Sequence, residues 1–135
     1  MPRSSPPRVS SNLTDEGDSS RRMDEEELAA IASLIEDEYA RAILRHTSEQ
    51  PLSANELMDR CDASKATTYR RIDRLREHDL LESYQEYDPE GHHYEVYAAT
   101  LEELSVRLDG GEFVVELDRT RDPADRMTDL LNQLR

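Results

Sequence analysis

The 135-residue chain has one cysteine, one phenylalanine and no tryptophan, and only one of its 17 basic residues is a lysine. Because Cys61 is alone, an intramolecular disulfide and a zinc site built from several thiolates are both excluded. No apolar run approaches the roughly 20 residues that a membrane-spanning helix needs. Residues 1–22 also lack the apolar stretch of a secretory signal. We therefore expect a protein of the reducing cytoplasm that has no membrane contact.

Acidic residues dominate the charge: 31 Asp and Glu residues give a formal net charge of -14. Together with the use of arginine in place of lysine, this balance is typical of proteins from cells that keep molar salt inside. At about 1 M salt the Debye length falls to about 3 Å, so a large negative charge repels little and still keeps the surface hydrated. The alternative is the ordinary solvated surface of an acidic protein from a low-salt cytoplasm.

Positive charge is concentrated in residues 65–77, which hold five basic residues against two acidic ones, so that this segment is +3 and the rest of the chain -17. The five are Lys65, Arg70, Arg71, Arg74 and Arg76. A uniformly acidic solvating surface does not produce this contrast, whereas a binding face for a polyanion does.

Helical periodicity runs from Asp24 to about Thr47 and predicts one helix or two closely joined helices. Ser53 followed by Glu56 forms a capping box, which predicts a short helix that ends near Cys61. Asp62-Ala63 makes a turn, and Ser64 caps a third helix that runs to about Asp79.

The segment LLESYQEYDPEGHHYEVYAAT predicts two antiparallel strands joined at DPEG. A second hairpin turns at Asp109-Gly110-Gly111. A final short helix starts at Asp122-Pro123 and carries one apolar stripe: Met127, Leu130, Leu131 and Leu134.

This order predicts an α+β, mainly α, winged helix-turn-helix fold with an extra C-terminal β-hairpin and a short C-terminal helix. We expect a disordered tail at 1–22, a DNA-binding domain at 23–100, and an extension at 101–135 that serves dimerisation or packing. Its apolar faces need cover from the wing sheet of the same domain or from a second subunit.

The third helix has two faces at about 100° per residue. Thr68, Ile72 and Leu75 lie on the inward face. The opposite face presents Ala66, Arg70, Asp73, Arg74 and, obliquely, Tyr69. Arg70 is the first candidate for a base contact, because its planar fork matches the acceptors of guanine.

Phosphate contacts are predicted for the flank and the start of this helix: Arg71, Ser64, Lys65 and Thr67. The alternative is that the arginines form the solvated face of an ordinary helix and pair with neighbouring carboxylates.

Residues 36–99 resemble winged helix-turn-helix regulators of the ArsR type, in the small form common in haloarchaea. The resemblance is carried by Asp37 to Leu44, by the Ser-x-x-Thr opening Ser64 to Thr67, and by the strand Tyr94 to Tyr97. It implies a dimeric, DNA-binding transcription factor. Asp79 stands where the family usually has glycine.

No metal site, cofactor or small-molecule ligand is predicted. His92 and His93 are adjacent on the wing, where neighbouring side chains face opposite ways and do not easily chelate one ion. They contact phosphate or are simply exposed. Cys61 suggests redox control of the third helix, but its neighbour Asp62 raises the thiol pKa, and a packing role is the alternative.

The sequence contains no Gly-rich phosphate loop and no arrangement of a nucleophile with histidine, so we do not expect an enzyme. The leading hypothesis is a sequence-specific regulator that inserts the helix of residues 64–79 into the major groove of double-stranded DNA as a homodimer. The alternative is a winged-helix adaptor in transcription or replication that binds proteins and does not read DNA.

Overall fold

The computed structural model describes residues 20–120, so most of the predicted tail and the predicted helix after Asp122 lie outside the described residues. The elements follow in the order β1 (Ser20–Met23), α1 (Glu25–Glu36), α2 (Glu38–Glu49), α3 (Ala54–Cys61), α4 (Lys65–Glu77), β2 (Leu81–Tyr87), β3 (His93–Ala99), β4 (Leu101–Asp109) and β5 (Glu112–Arg119). Within the described range this is the predicted α+β winged helix-turn-helix fold, with the extra hairpin following the wing in the chain.

The predicted first helical stretch is a pair of helices, because Asp37 interrupts it in an extended conformation. The backbone N–H of Asp37 donates to Leu34 at the end of α1, and its carboxylate accepts from the N–H of Ala40 at 2.8 Å to cap α2. Asp24 caps α1 in the same way, through the N–H of Glu27. Acidic caps of this kind satisfy N–H groups that have no partner within the helix.

The capping box of α3 is confirmed: the Ser53 hydroxyl accepts from the Glu56 N–H, and the Glu56 carboxylate accepts from the Ser53 N–H at 2.8 Å. Asp62 ends α3 in the left-handed conformation, at φ 54°. Ser64 then caps α4 by accepting from the Thr67 N–H. These short-range signals produce the tight turn between the two helices.

Helix α4 ends at Glu77, two residues before the predicted end at Asp79. Asp79 has φ 64°, a left-handed conformation that turns the chain into β2 and that aspartate tolerates better than most residues. The Thr100 hydroxyl donates to the Asp79 carbonyl at 3.0 Å and holds this exit in place. The left-handed backbone at Asp79 thus provides the tight exit from α4 without a glycine.

Strands β2 and β3 form the predicted wing, with antiparallel register from Leu81 opposite Ala99 to Tyr87 opposite His93. Leu52 adds an isolated bridge to this hairpin: it exchanges backbone hydrogen bonds with Tyr97 at 3.0 and 2.8 Å. This bridge fixes the base of the wing to the segment that leads into α3.

The second hairpin belongs to a separate three-stranded sheet with the order β1-β5-β4, so it does not extend the wing sheet. Strand β1 starts at Ser20, so the last residues of the predicted tail, 20–22, pair with β5. Leu117 of β5 is fully buried and belongs to the same core cluster as residues of the helices and the wing. The hairpin therefore packs on its own domain.

One hydrophobic core joins all these elements. Its buried members on the helices include Ile31, Ile43, Leu57, Ile72 and Leu75, and the wing adds Leu81, Tyr97 and Ala99. None of the helices described in residues 20–120 has the length and hydrophobicity that spanning a lipid bilayer requires.

Candidate nucleic-acid interface

The two faces of α4 are oriented as the helical spacing predicted. Thr68, Ile72 and Leu75 are all at most 2% exposed, and they anchor the helix in the core. The opposite side is open to solvent, and it presents Lys65, Ala66, Tyr69, Arg70, Asp73, Arg74 and Arg76. The exposed basic residues of α4 are thus held on a helix that is well packed against the core.

Lys65, Arg70 and Arg74 have no ion-pair partner within 4.0 Å among the described residues. This argues against the alternative in which the arginines serve an ordinary helix by pairing with nearby carboxylates. Their charged groups are available to an external polyanion.

Arg71 is held differently from its neighbours. Its Nε and Nη2 atoms donate to the two carboxylate oxygens of Asp37, both at 2.9 Å, and each side chain is about a quarter exposed. The guanidinium carbon also lies 5.9 Å from the ring centre of Tyr39. A bidentate pair of this kind orients Arg71 toward the α1–α2 junction, so its predicted phosphate contact competes with an internal partner.

This pair shifts both ionisation equilibria. Hydrogen bonding to Arg71 is the main cause of a lowered pKa at Asp37, and the cap on Ala40 acts in the same direction. Hydrogen bonding to Asp37 in turn raises the pKa of Arg71. Both groups therefore stay charged at neutral pH, and the bridge fastens α4 to the helix junction.

The N-terminus of α4 supplies the remaining predicted phosphate contacts. Ser64 uses its hydroxyl oxygen to cap the helix, while Lys65 is exposed and Thr67 is half-buried. The Thr67 N–H is capped by Ser64, whereas the N–H groups of Lys65 and Ala66 have no acceptor within the helix, an arrangement that favours an anion at this end.

The base of the wing lies next to α4, and the wing tip extends beyond the helix. Tyr97 packs there among core residues, and its hydroxyl donates to Glu95 at 3.3 Å. Burial, followed by the charge of Glu95, raises the pKa of Tyr97 to about 12, so it remains a neutral donor. Strand β2 packs against α4, which places the base of the wing beside the helix.

The wing tip carries the two predicted histidines next to carboxylates. The His92 ring lies 3.2 Å from Asp88 and 3.8 Å from Glu90, and the side chain is 73% exposed. His93 starts β3 and contacts the Tyr87 ring edge-on at 4.3 Å. Residues 81–99 contain five acidic residues and no lysine or arginine. The electrostatics at the tip are thus less favourable to phosphate than those of α4.

The tip also brings together a set of possible metal ligands that the sequence analysis missed. Donor atoms of Asp88, Glu90 and His92 lie within 4.8 Å of one another. The sequence signal for this set is the spacing of Asp88 and His92, four residues apart around the wing turn. Exposed groups of this kind commonly occur without a metal ion, and no metal site is assigned.

Cys61 lies half-buried in a shallow groove between α2 and the end of α3, with Arg45 and Arg60 on the same rim. Burial raises the pKa of its thiol, although both arginines act in the opposite direction. A raised pKa disfavours the reactive thiolate at neutral pH, which supports the packing role over the redox hypothesis.

Comparison with known proteins agrees with the helix-turn-helix assignment. Residues 35–84 match a protein-family model described as a helix-turn-helix domain, and this range contains α2, α3 and α4. The solved structure of HlyU from Vibrio cholerae is similar with a TM-score of 0.38 and 17% sequence identity, covering 83% of this chain and 97% of that chain. That similarity is too low to support a functional inference. No curated protein matches this chain significantly in sequence.

Proposed function

We propose that this protein is a sequence-specific, DNA-binding transcriptional regulator of the ArsR type. It inserts the helix of residues 64–79 into the major groove and acts as a cytoplasmic homodimer by occupying promoters. The observation that carries the proposal is the exposed face of α4, where Lys65, Arg70 and Arg74 have no ion-pair partner among the described residues. The match of residues 35–84 to a helix-turn-helix model supports the same conclusion.

The side chains of α4 divide into two roles in this proposal. Arg70, in the N-terminal half of the open face, donates two hydrogen bonds to a guanine edge, and Arg74 lies one turn further along the same face. Lys65 and the N-terminal N–H groups bind phosphate oxygens and set the depth of insertion. Tyr69, on the flank beside the wing, offers an apolar ring to a thymine methyl group.

A homodimer supplies two copies of α4 related by a two-fold axis. Such a pair reads two half-sites whose centres are one helical turn, about 34–36 Å, apart on the duplex. The predicted operator is therefore an inverted repeat.

Selection of bound fragments from a pool of random duplexes tests this function. The full chain is incubated with the pool at molar KCl, because counterion release is weak there and non-specific binding is suppressed. We expect enrichment of an inverted repeat with half-sites one turn apart. A pool that shows no enriched sequence would overturn sequence-specific regulation.

A second candidate is a winged-helix adaptor that binds a protein and does not read DNA. The acidic wing favours it, since carboxylates such as Glu86, Asp88 and Glu90 repel a phosphate backbone and attract a basic protein surface. The same selection separates the two functions, because an adaptor gives no enriched duplex. The open cationic face of α4 makes the regulator the stronger proposal.

A further inference from the structure

The three-stranded sheet has an apolar face that its own domain covers only in part. Cross-strand partners share a face, and three apolar pairs follow one another along β4 and β5: Leu104 with Leu117, Val106 with Val115, and Leu108 with Phe113. Val115 and Leu117 are at most 1% exposed, whereas Val106 is 50%, Leu108 64% and Phe113 49% exposed. The open part of this face, Val106, Leu108 and Phe113, is called the hairpin strip below.

The hairpin strip is unusual for this surface. In the described part of the chain, the other large hydrophobic side chains that are exposed are Tyr69, Tyr87 and Tyr94, which carry a hydroxyl group. The strip consists of three wholly apolar side chains side by side. An exposed patch of this kind on a strongly charged protein marks a surface for contact with another segment or a partner.

The chain that follows β5 has the length to cover the strip. Thr120 is fixed at the end of β5 by its N–H bond to the Thr100 carbonyl at 2.8 Å, and 15 residues follow. Phe113 lies seven residues back along β5, about 24 Å at the usual rise of a strand. A twelve-residue helix over 123–134 spans about 18 Å. A chain of 15 residues with such a predicted helix is therefore long enough to reach the level of the strip.

The amino-acid composition of residues 121–135 also suits contact with the hairpin strip. They carry one apolar stripe at helical spacing, formed by Met127, Leu130, Leu131 and Leu134, and they contain three arginines and three aspartates. The hairpin that they would cover, residues 101–119, contains six acidic and two basic residues. A segment without net charge approaches this acidic sheet without electrostatic cost.

The alternative occupant, the hairpin strip of a second copy of the chain, is less suitable. Three half-exposed side chains cannot supply the roughly 800 Å² per partner that a stable protein interface buries. Two copies of an acidic hairpin also repel each other, although molar salt reduces the repulsion. We therefore propose that residues 121–135 fold back within the same chain and cover the hairpin strip with the Met127–Leu134 stripe. This proposal does not rest on DNA binding.

Cross-linking tests the proposal in the full chain. Cys61→Ala removes the single native thiol, and Leu108→Cys is then combined with Leu131→Cys or Leu134→Cys on the stripe. The matched control combines Leu108→Cys with Asn132→Cys, which lies off the stripe. A short bismaleimide should join at least one stripe pair within a single chain, about tenfold or more faster than the control pair, because proximity raises the effective concentration. Equal rates, or products that join two chains, would overturn the proposal.

Hydrogen exchange gives a readout that does not depend on a linker. Leu131→Asp with Leu134→Asp should speed amide exchange over residues 105–114, because an uncovered hairpin tip opens more easily. Asn132→Asp with Gln133→Asp adds the same charge off the stripe and should leave that exchange unchanged. Identical exchange at the hairpin in both double variants would exclude the docking.

Discussion

At the residue scale, Asp37 has two functions. It caps α2 through the Ala40 N–H, and it holds Arg71 of α4 through two hydrogen bonds of 2.9 Å. The helical wheel predicted that Arg71 lies on the flank of α4. It could not predict the partner, because the two residues are 34 positions apart and only the folded helix pair brings them together.

Breaking the Arg71–Asp37 pair should reduce the stability of the fold and should have a smaller effect on the affinity for DNA. We expect Arg71→Ala to reduce the free energy of unfolding by about 1 kcal/mol, the range of a well-oriented, partly exposed ion pair. A double-mutant cycle with Asp37→Asn isolates the pairwise part, since asparagine still caps a helix. Urea unfolding of the parent, the two single variants and the double variant measures this coupling energy. Arg70 has no such partner, so Arg70→Ala should leave the free energy of unfolding unchanged. A coupling energy of zero would contradict a stabilising pair.

The pH dependence of this coupling has a definite sign. Because the pKa of Asp37 is lowered in the folded chain, the stabilisation is complete above its ordinary value of 3.8 and is lost as the pH falls through the lower folded value. The cycle repeated at neutral and at strongly acidic pH should therefore show the coupling energy only at neutral pH.

Thr68 offers a test of the packing beneath α4. Its hydroxyl is buried and has no hydrogen-bond partner among the described residues, which costs free energy in an apolar environment. Thr68→Val keeps the shape and removes the unpaired group, so we expect the free energy of unfolding to stay constant or to rise by about 1 kcal/mol. Thermal melting checks this, with Thr67→Val on the half-buried flank as the control. A clear loss of stability in Thr68→Val would show that the hydroxyl has a partner.

At the element scale, local signals predicted most of the fold. The Ser53 and Ser64 caps, the turn at Asp62-Ala63 and the Gly110-Gly111 turn are each encoded within a few residues, and the structure confirms them. Strand β1 was missed because Ser20–Met23 has no alternating pattern and its partners, Val115–Asp118 in β5, lie far away in the sequence. Long-range strand pairing of this kind leaves no short-range mark in one sequence.

The second hairpin should behave as part of the core. Leu117 is fully buried among residues from the helices and the wing, so Leu117→Ala should lower the free energy of unfolding by about 2–5 kcal/mol. Ser105→Ala, on the opposite and solvated face of the same sheet, should change it by no more than about 0.5 kcal/mol. Denaturant unfolding compares the two variants. A small effect of Leu117→Ala would mean that the hairpin folds separately from the winged domain.

At the scale of the whole molecule, the net charge of -14 links stability to salt. Raising KCl from about 0.1 M to about 1 M shortens the Debye length from about 10 Å to about 3 Å and relieves repulsion between carboxylates. We expect the midpoint of thermal unfolding to rise steadily over this range, as for a protein of a high-salt cytoplasm. A midpoint that does not change with KCl would favour an ordinary acidic protein.

The contrast between the anionic body and the cationic α4 was visible in the sequence, because it needs only a count of charges. The structure adds which of the five basic residues in 65–77 are available for binding. Arg71 is hydrogen-bonded to Asp37, while Arg70 and Arg74 are exposed to solvent. Which base pairs they read depends on the bound duplex, and a single chain contains no information about that sequence.

The most direct test of the account compares two double variants with the same change in net charge. Arg70→Ala with Arg74→Ala removes the open guanidinium groups of α4, and Arg45→Ala with Arg107→Ala removes two exposed arginines elsewhere. Fluorescence anisotropy measures the affinity of each for the selected duplex at one KCl concentration, and thermal melting confirms that each is folded. We expect the α4 variant to lose at least about tenfold in affinity, since one good base contact contributes about 1–3 kcal/mol, and the control to bind nearly as the parent does. Equal affinities for the two double variants would contradict DNA recognition through α4.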